Sequence, residues 1–355
     1  MKKIDLVVGA RPNYIKAFPG YNALYKTRYF NLRLINTGQH YDDNMTKCFF
    51  EELDIANPDY NLNVGSGLHG KQTAKMLILL EEIFLNQKPQ VVITFGDTNS
   101  TLAGALAATK LNIPIAHVEA GLRSFNHKMP EETNRILTDH ISNYLFAPTI
   151  TAMENLKKEN LIDKSFLTGD IMFDSLLEYE IIANEKSKIL KKLKLKRREY
   201  QLLTLHRPYN VDSKKKLQDI FSALEKTNIF IVFPAHPRTR KMFVSKNIKI
   251  PENILIINPV GYLDFIILQK NSDKIITDSG GIQKEAYLNG IPCITIRSET
   301  EWTETVKAGW NVLVGDKKGQ LIKNCLFFKP PVFKPEVFGD GNSAKKIISI
   351  LESNI

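Results

Sequence analysis

Carboxylates follow three stretches of the chain in positions where proton chemistry could be done. Asp97, in Gly96-Asp97-Thr98-Asn99-Ser100, follows the apolar run Val91 to Phe95, and Glu119, in His117-Val118-Glu119-Ala120-Gly121-Leu122-Arg123, follows Ile113 to Val118. Glu131 and Glu132 stand in Met129-Pro130-Glu131-Glu132. Runs of that kind are buried parallel strands, so the first two acids sit at sheet ends rather than on random surface. His206-Arg207-Pro208 and His236-Pro237-Arg238 close two later runs in the same way. Each alone also fits a helix cap, a salt bridge or a solvated loop. Together they face one cleft from two sides, the arrangement that acid and base chemistry needs.

Two turns suit a phosphate. In Val7-Val8-Gly9-Ala10-Arg11-Pro12-Asn13-Tyr14-Ile15-Lys16 a glycine allows a tight strand-to-helix turn, Pro12 fits the first helical position, and Arg11 and Lys16 bring cations to the strand end. In Thr277-Asp278-Ser279-Gly280-Gly281-Ile282-Gln283-Lys284-Glu285 the free N–H groups of a helix start, with the Ser279 hydroxyl, suit a diphosphate, and Glu285, one turn on, can accept from ribose hydroxyls. An ordinary capped βα turn explains either segment equally simply. Gly65-Ser66-Gly67-Leu68-His69-Gly70 matches the dinucleotide pattern, but Asn61 to Val64 alternates polar and apolar, and Gln90 stands where a ribose-binding acid belongs. It reads as a loop. There is no Tyr-x-x-x-Lys pair, no HExxH, no Gly-x-Ser-x-Gly elbow, and Asp42-Asp43 is no cation cage, so neither nicotinamide nor a metal is expected.

The elements that must hold these residues form a repeated βα rhythm. Strands are expected near 4–9, 32–37, 90–95, 113–118, 144–147 and 165–168, then near 201–205, 229–234, 253–258, 274–277, 292–297 and 311–314. That pattern predicts two Rossmann-like α/β domains with parallel sheets and a ligand cleft, over 1–170 and 171–338, with a separate tail helix in 339–355.

Of 355 residues, 43% are hydrophobic and 24% charged, which excludes disorder. The net charge of +10 points to an anionic partner, yet residues 1–170 are neutral and 185–199 alone carry +6. In that segment Ile189, Leu190, Leu193 and Leu195 look packed and no aromatic interleaves the cations, so a solvated face is expected rather than a nucleic-acid site. The three cysteines, Cys48, Cys293 and Cys325, are scattered, which fits a reducing cytoplasm. No apolar run is long enough to span a membrane.

In order along the chain, Gly9-Ala10-Arg11-Pro12, Thr37-Gly38-Gln39-His40, Gly96-Asp97-Thr98, His117 to Arg123, Pro130-Glu131-Glu132-x-Asn134-Arg135, Ala147-Pro148-Thr149, His206-Arg207 and Thr277 to Glu285 resemble the non-hydrolysing UDP-N-acetylglucosamine 2-epimerases, from about residue 4 to 350. The resemblance implies a GT-B-like fold of two facing domains with the C-terminal helix crossing back to the first. It implies interconversion of UDP-GlcNAc and UDP-ManNAc without a cofactor, by elimination of UDP to 2-acetamidoglucal and re-addition, in a cytoplasmic homodimer that supplies cell-surface polysaccharide. By motif, Asp97, Glu119 and Glu131 become the acid and base candidates and His206 serves the leaving group. Arg11 and Lys16 contact the nucleotide, Ser279, Gly280 and Gly281 the diphosphate, and Glu285 the ribose. Arg135 orients carboxylates, and His236 and Arg297 line the cleft. Pro12 favours the non-hydrolysing type, whereas Arg123 to Pro130 looks more like a branch acting on UDP-2,3-diacetamido-2,3-dideoxy-glucuronate, where His127 or Lys128 would meet a C6 carboxylate. Asp42, where a glutamine is expected, speaks against activation by a second UDP-GlcNAc. A GT-B glycosyltransferase and a non-catalytic sugar-nucleotide sensor are the competing readings.

Overall fold

The computed structural model describes residues 2–9, 11–27, 29–39, 57–235 and 237–355, with 11, 12, 20, 23–27, 237, 238 and 244 described through their backbone alone. The chain divides into two compact units, one of residues 1–178 with 336–355 and the other of 179–335. The helix Ile171–Lys186 runs through the boundary.

The first unit holds an all-parallel sheet of β1 (Lys2–Val8), β2 (Phe30–Asn36), β3 (Tyr60–Asn61), β4 (Val91–Phe95), β5 (Ile115–Val118), β6 (Tyr144–Ala147) and β7 (Ser165–Leu167), in the order β3-β2-β1-β4-β5-β6-β7. β4 and β5 are buried along their whole length, as strands covered by helices on both faces must be. The expected six strands of this half are present with a seventh, β3, at the edge. Two residues of alternating character leave almost no strand signal, and an edge position asks for none.

The second unit holds β8 (Gln201–Thr204), β9 (Ile231–Pro234), β10 (Ile254–Ile257), β11 (Ile275–Thr277), β12 (Cys293–Thr295) and β13 (Asn311–Leu313), all parallel, in the order β10-β9-β8-β11-β12-β13. Its core is aromatic on one side, where Phe221, Phe233 and Phe243 meet edge to face or tilted. Both units are Rossmann-like, as the alternation of elements requires.

The tail helix Ser343–Asn354 belongs to the first unit, where it packs on the helix Arg11–Thr27 through a face that includes Ile347, Ile348 and Leu351. Its open N-terminus is closed by Asp174, which accepts from Ser343 N at 3.1 Å and Ala344 N at 2.8 Å. Gly169 and Gly339 let the chain return: a Cβ on Gly339, at φ +83°, would stand 2.9 Å from Gly169 Cα. The C-terminal helix therefore crosses back to the first domain, as expected.

All eight cations between Lys186 and Arg198 are exposed, while Ile189 is buried and Leu190, Leu193 and Leu195 are half-buried. The segment is a solvated surface with an apolar underside. No helix among the described residues is long and apolar enough to cross a membrane.

One buried charge sets a pH dependence. Asp5 on β1 is fully buried and lies beside Arg33 on β2, whose Nε donates to it at 2.7 Å. Burial pushes the Asp5 carboxyl up to about 6 in spite of that guanidinium. A raised acid contributes stability that is complete below pH 3.8 and lost as pH rises through about 6. Asp5→Asn has no such proton to lose. Urea unfolding at pH 4 and pH 7 should show the stability difference moving toward the variant by about 2–3 kcal/mol.

Candidate functional site

In the first sheet the strand order reverses between β1 and β4, and at such a switch point the connections leave toward opposite faces and open a crevice at the strands' carboxyl ends. The segments leaving β1, β4 and β5 carry the candidates there. The helix after β1 brings Asn13, whose amide donates to Phe95 O at 2.6 Å, and Lys16, which pairs with the Glu119 carboxylate. Glu119 is buried and held at φ +71°, a left-handed conformation that a glutamate adopts only when its surroundings impose it. Gly96 lies under this pair: a Cβ there would meet Lys16 Nζ at 3.1 Å and Glu119 Oε2 at 3.2 Å, and its φ is +67°. The glycine is what lets the ion pair close over the end of β4.

Asp97 is held differently. Arg135 Nη2 donates to Asp97 Oδ2 at 2.5 Å and Arg135 Nη1 to Glu132 Oε2 at 3.0 Å, so one guanidinium bridges two carboxylates. Burial works against charge on Arg135, but Asp97 and Glu132 outweigh it and hold the guanidinium above its ordinary pKa. Asn134 donates to Asp97 O at 2.9 Å. Glu132, almost wholly buried, also accepts from Ser124 N, Ser124 Oγ and Phe125 N at 2.8, 2.9 and 2.9 Å. Burial raises its pKa, yet the bonds from Ser124, Phe125 and Arg135 prevail and keep it below the ordinary value. Glu131 is exposed on the first turn of the helix Pro130–Ile141, one turn before Arg135.

The second sheet repeats the logic. Its order reverses between β8 and β11, and the residues leaving these two strands are His206 and Asp278. Asp278 is fully buried and accepts from His206 N, Arg207 N and Asn210 Nδ2 at 3.2, 3.1 and 3.0 Å. Burial opposes its charge, but the bonds from His206 and Asn210 hold its pKa below 3.8. His206 Nδ1 lies 3.2 Å from Asp278 Oδ1 while half of the side chain is exposed, so the carboxylate orients the ring and leaves Nε2 facing away. Ser279 precedes the helix Gly280–Leu288 and its hydroxyl makes no capping bond. A Cβ on Gly280 would lie 1.9 Å from Glu301 Oε1, and Glu301 pairs with Arg297 at 3.0 Å. A carboxylate already resting against this helix start, beside an arginine, marks a place where negative charge is favoured. Glu285, one turn into the helix, accepts from Gln269 Nε2 at 2.6 Å and is buried.

Thus Asp97, Glu119, Lys16 and Arg135 come together at the end of the first sheet, and His206, Ser279, Gly280, Glu285 and Arg297 around the end of the second; Gly281 is exposed beside Ser279 and Gly280. His236 and Asp42 lie outside the described residues, as does the Arg11 side chain. The glycine-rich segment at 65–70 follows the two-residue edge strand β3, whereas a dinucleotide turn leaves a central strand of the sheet. Sequence reasoning gave no role to Asn13 or Asp278, and named Glu132 only beside Glu131. The only signals were the three-residue spacing from Glu132 to Arg135 and an aspartate that reads equally as a cap.

Comparison with known proteins decides the family. A family profile described as UDP-N-acetylglucosamine 2-epimerase matches residues 22–352. The chain belongs to the UDP-N-acetylglucosamine 2-epimerase family. A UDP-N-acetylglucosamine 2-epimerase homolog of Methanococcus maripaludis is 51% identical over 99% of each chain. The Methanocaldococcus jannaschii UDP-GlcNAc 2-epimerase, whose crystal structure holds UDP-GlcNAc and UDP, superimposes with a TM-score of 0.89 at 47% identity, over 99% of this chain and 100% of that one. A UDP-2,3-diacetamido-2,3-dideoxy-D-glucuronate 2-epimerase of Pseudomonas aeruginosa is 42% identical over 98% of this chain and 99% of its own length. Like its relatives in the epimerase family, the chain is built of two parallel-sheet domains of GT-B-like type.

Proposed function

We propose that the protein is a non-hydrolysing epimerase that interconverts UDP-GlcNAc and UDP-ManNAc at C2 of the sugar. The observation that carries the reading is the pair of carboxylates at one switch point, each with its own cation: Glu119 with Lys16, and Asp97 with Arg135. The C2 hydrogen has no neighbouring carbonyl to acidify it, so simple removal and return would be slow. Elimination solves this. A carboxylate takes the C2 proton, the C1–O bond breaks with its electrons leaving on UDP, and 2-acetamidoglucal remains. UDP then adds back at C1 while a proton is delivered to the opposite face of C2. Atoms balance without a hydride acceptor, and the leaving diphosphate needs only fixed positive charge and N–H donors.

In this reading Asp97, Glu119 and Glu131 share the proton transfers and Arg135 orients Asp97. His206, with Asp278 behind it, serves the leaving group. Ser279, Gly280 and Gly281 hold the diphosphate, Glu285 the ribose, and Arg11, Lys16, His236 and Arg297 the remaining polar groups. The protein works as a cytoplasmic homodimer and feeds cell-surface polysaccharide.

A second substrate has its own support. The Pseudomonas relative acts on the diacetamido-uronate, and in this chain His127 and Lys128 are exposed on the loop tied down by Glu132. A C6 carboxylate would suit them. Incubation of the purified protein with UDP-GlcNAc in D2O, without NAD, tests both. UDP-ManNAc carrying deuterium at C2 is the expected product. Free ManNAc with UDP would mean a hydrolysing enzyme, and no turnover would move the assignment to the uronate, assayed in the same way.

A further inference from the structure

We propose that His117 and Asp139, a buried pair given no role so far, are positioning residues that clamp together the two turns bearing Asp97 and Glu119. The proposal rests on the reading that those two carboxylates move the protons. His117 lies in the middle of β5, between Ala116 and Val118, in a strand buried throughout. A leucine would fill that space without the cost of burying a polar ring, a cost that is avoided only when every polar atom is bonded. Here both ring nitrogens are bonded. Nδ1 lies 2.6 Å from Asp139 Oδ1 and Nε2 lies 2.8 Å from the carbonyl of Gly96.

A carbonyl only accepts, so Nε2 donates. Asp139 is fully buried, which opposes its charge, but His117, Arg123 and the Gly121 N–H outweigh burial and hold its pKa below the ordinary carboxylate value. Nδ1 and Asp139 Oδ1 share a hydrogen bond at 2.6 Å. The ring therefore bridges a carboxylate and a carbonyl, one nitrogen to each.

What the two ends hold is the point. Gly96 immediately precedes Asp97. The other Asp139 oxygen accepts from Gly121 N at 3.0 Å and lies 2.7 Å from Arg123 Nη1, and the same guanidinium grips Glu159 through Nε and Nη2 at 2.7 and 2.8 Å. Glu119 stands two residues before Gly121. Gly96, Glu119 and Gly121 are all left-handed, with φ of +67°, +71° and +79°; the glycines adopt this freely, but local preference opposes it at Glu119, so that turn gains from an outside tether. The chain Gly96 O, His117, Asp139, Gly121 N supplies it, and fixes the separation of the two carboxylates from beneath.

The test uses the full-length protein. His117→Leu keeps the packing volume and removes both ring nitrogens. Relative to wild type, kcat should fall by about 10²-fold, the cost of displacing a reacting group by about 1 Å, with KM and UDP affinity unchanged and a native circular dichroism spectrum. A purely structural role would leave kcat intact in the folded variant, and near-normal kcat there overturns the proposal. If that variant does not fold, histidine 15N NMR of the wild type decides: a proton on His117 Nε2 supports the bridge, and a bare Nε2 refutes it. Inactivity of the wild type on both UDP-sugars would sink the proposed reaction instead, and the NMR result would still judge the clamp.

Discussion

Asp97→Asn should reduce turnover by about 10²–10⁴-fold while leaving UDP binding within a few-fold of wild type. The substitution is isosteric. The amide oxygen can still accept from Arg135 Nη2, which now lies 2.5 Å from the carboxylate, and Asn134 bonds the backbone carbonyl rather than the side chain, so the turn keeps its tethers. What the amide cannot do is exchange a proton. A residue serving only as an anchor for Arg135 would tolerate the change with a loss of less than about tenfold, since one hydrogen bond to the guanidinium survives. The loss should appear equally in product formation and in deuterium uptake at C2, and calorimetry measures UDP affinity independently of turnover. Activity above a tenth of wild type would remove Asp97 from proton transfer.

Gly121→Ala should destabilise the first unit by about 2–5 kcal/mol. The left-handed φ of +79° costs an alanine about 1–2 kcal/mol. The new methyl would also stand 2.4 Å from Ala152 O and 2.8 Å from Leu156 Cγ, in the helix Ile150–Lys158, and overpacking of that kind costs about 1–3 kcal/mol. Relief by a backbone shift is closed off, because Gly121 N donates to Asp139 at 3.0 Å and Gly121 O accepts from Asn155 at 3.0 Å. Either bond would have to break, and the Glu119 turn would move with it. Gly67→Ala is the control: its Cβ meets nothing within 4 Å, so urea unfolding should leave it near wild type. Equal stability of the two variants would show that the Gly121 turn yields where the structure shows it pinned.

The same two turns show where reading the sequence stops. Both were legible as strand ends, because Val91 to Phe95 and Ile115 to Val118 are near-continuous apolar runs, broken only by Thr94 and His117, as suits central parallel strands buried on both faces. The pairing of Asp97 with Arg135 was not, since 38 residues separate them and only the placing of one helix beside β4 and β5 brings them to 2.5 Å. Glu131 and Glu132 make the sharper case. Adjacent on a helix, they point about 100° apart, and the sequence treats them alike. Packing buries Glu132 beneath the loop at 124–125 and leaves Glu131 in solvent.

By itself the sequence determined the two-domain α/β plan and the ends of the strands, because burial patterns and glycine turns are local and additive; the family and the return of the tail helix came through the resemblance of ordered motifs. Tertiary structure alone decided which charges meet: Lys16 with Glu119, Arg135 with both Asp97 and Glu132, His206 with Asp278, and His117 with Asp139. Apart from Glu132 and Arg135, which share one helix, such pairs join residues from separate elements, and their geometry depends on sheet order and on a few left-handed residues. One of these, Glu119, has no local reason to be left-handed at all.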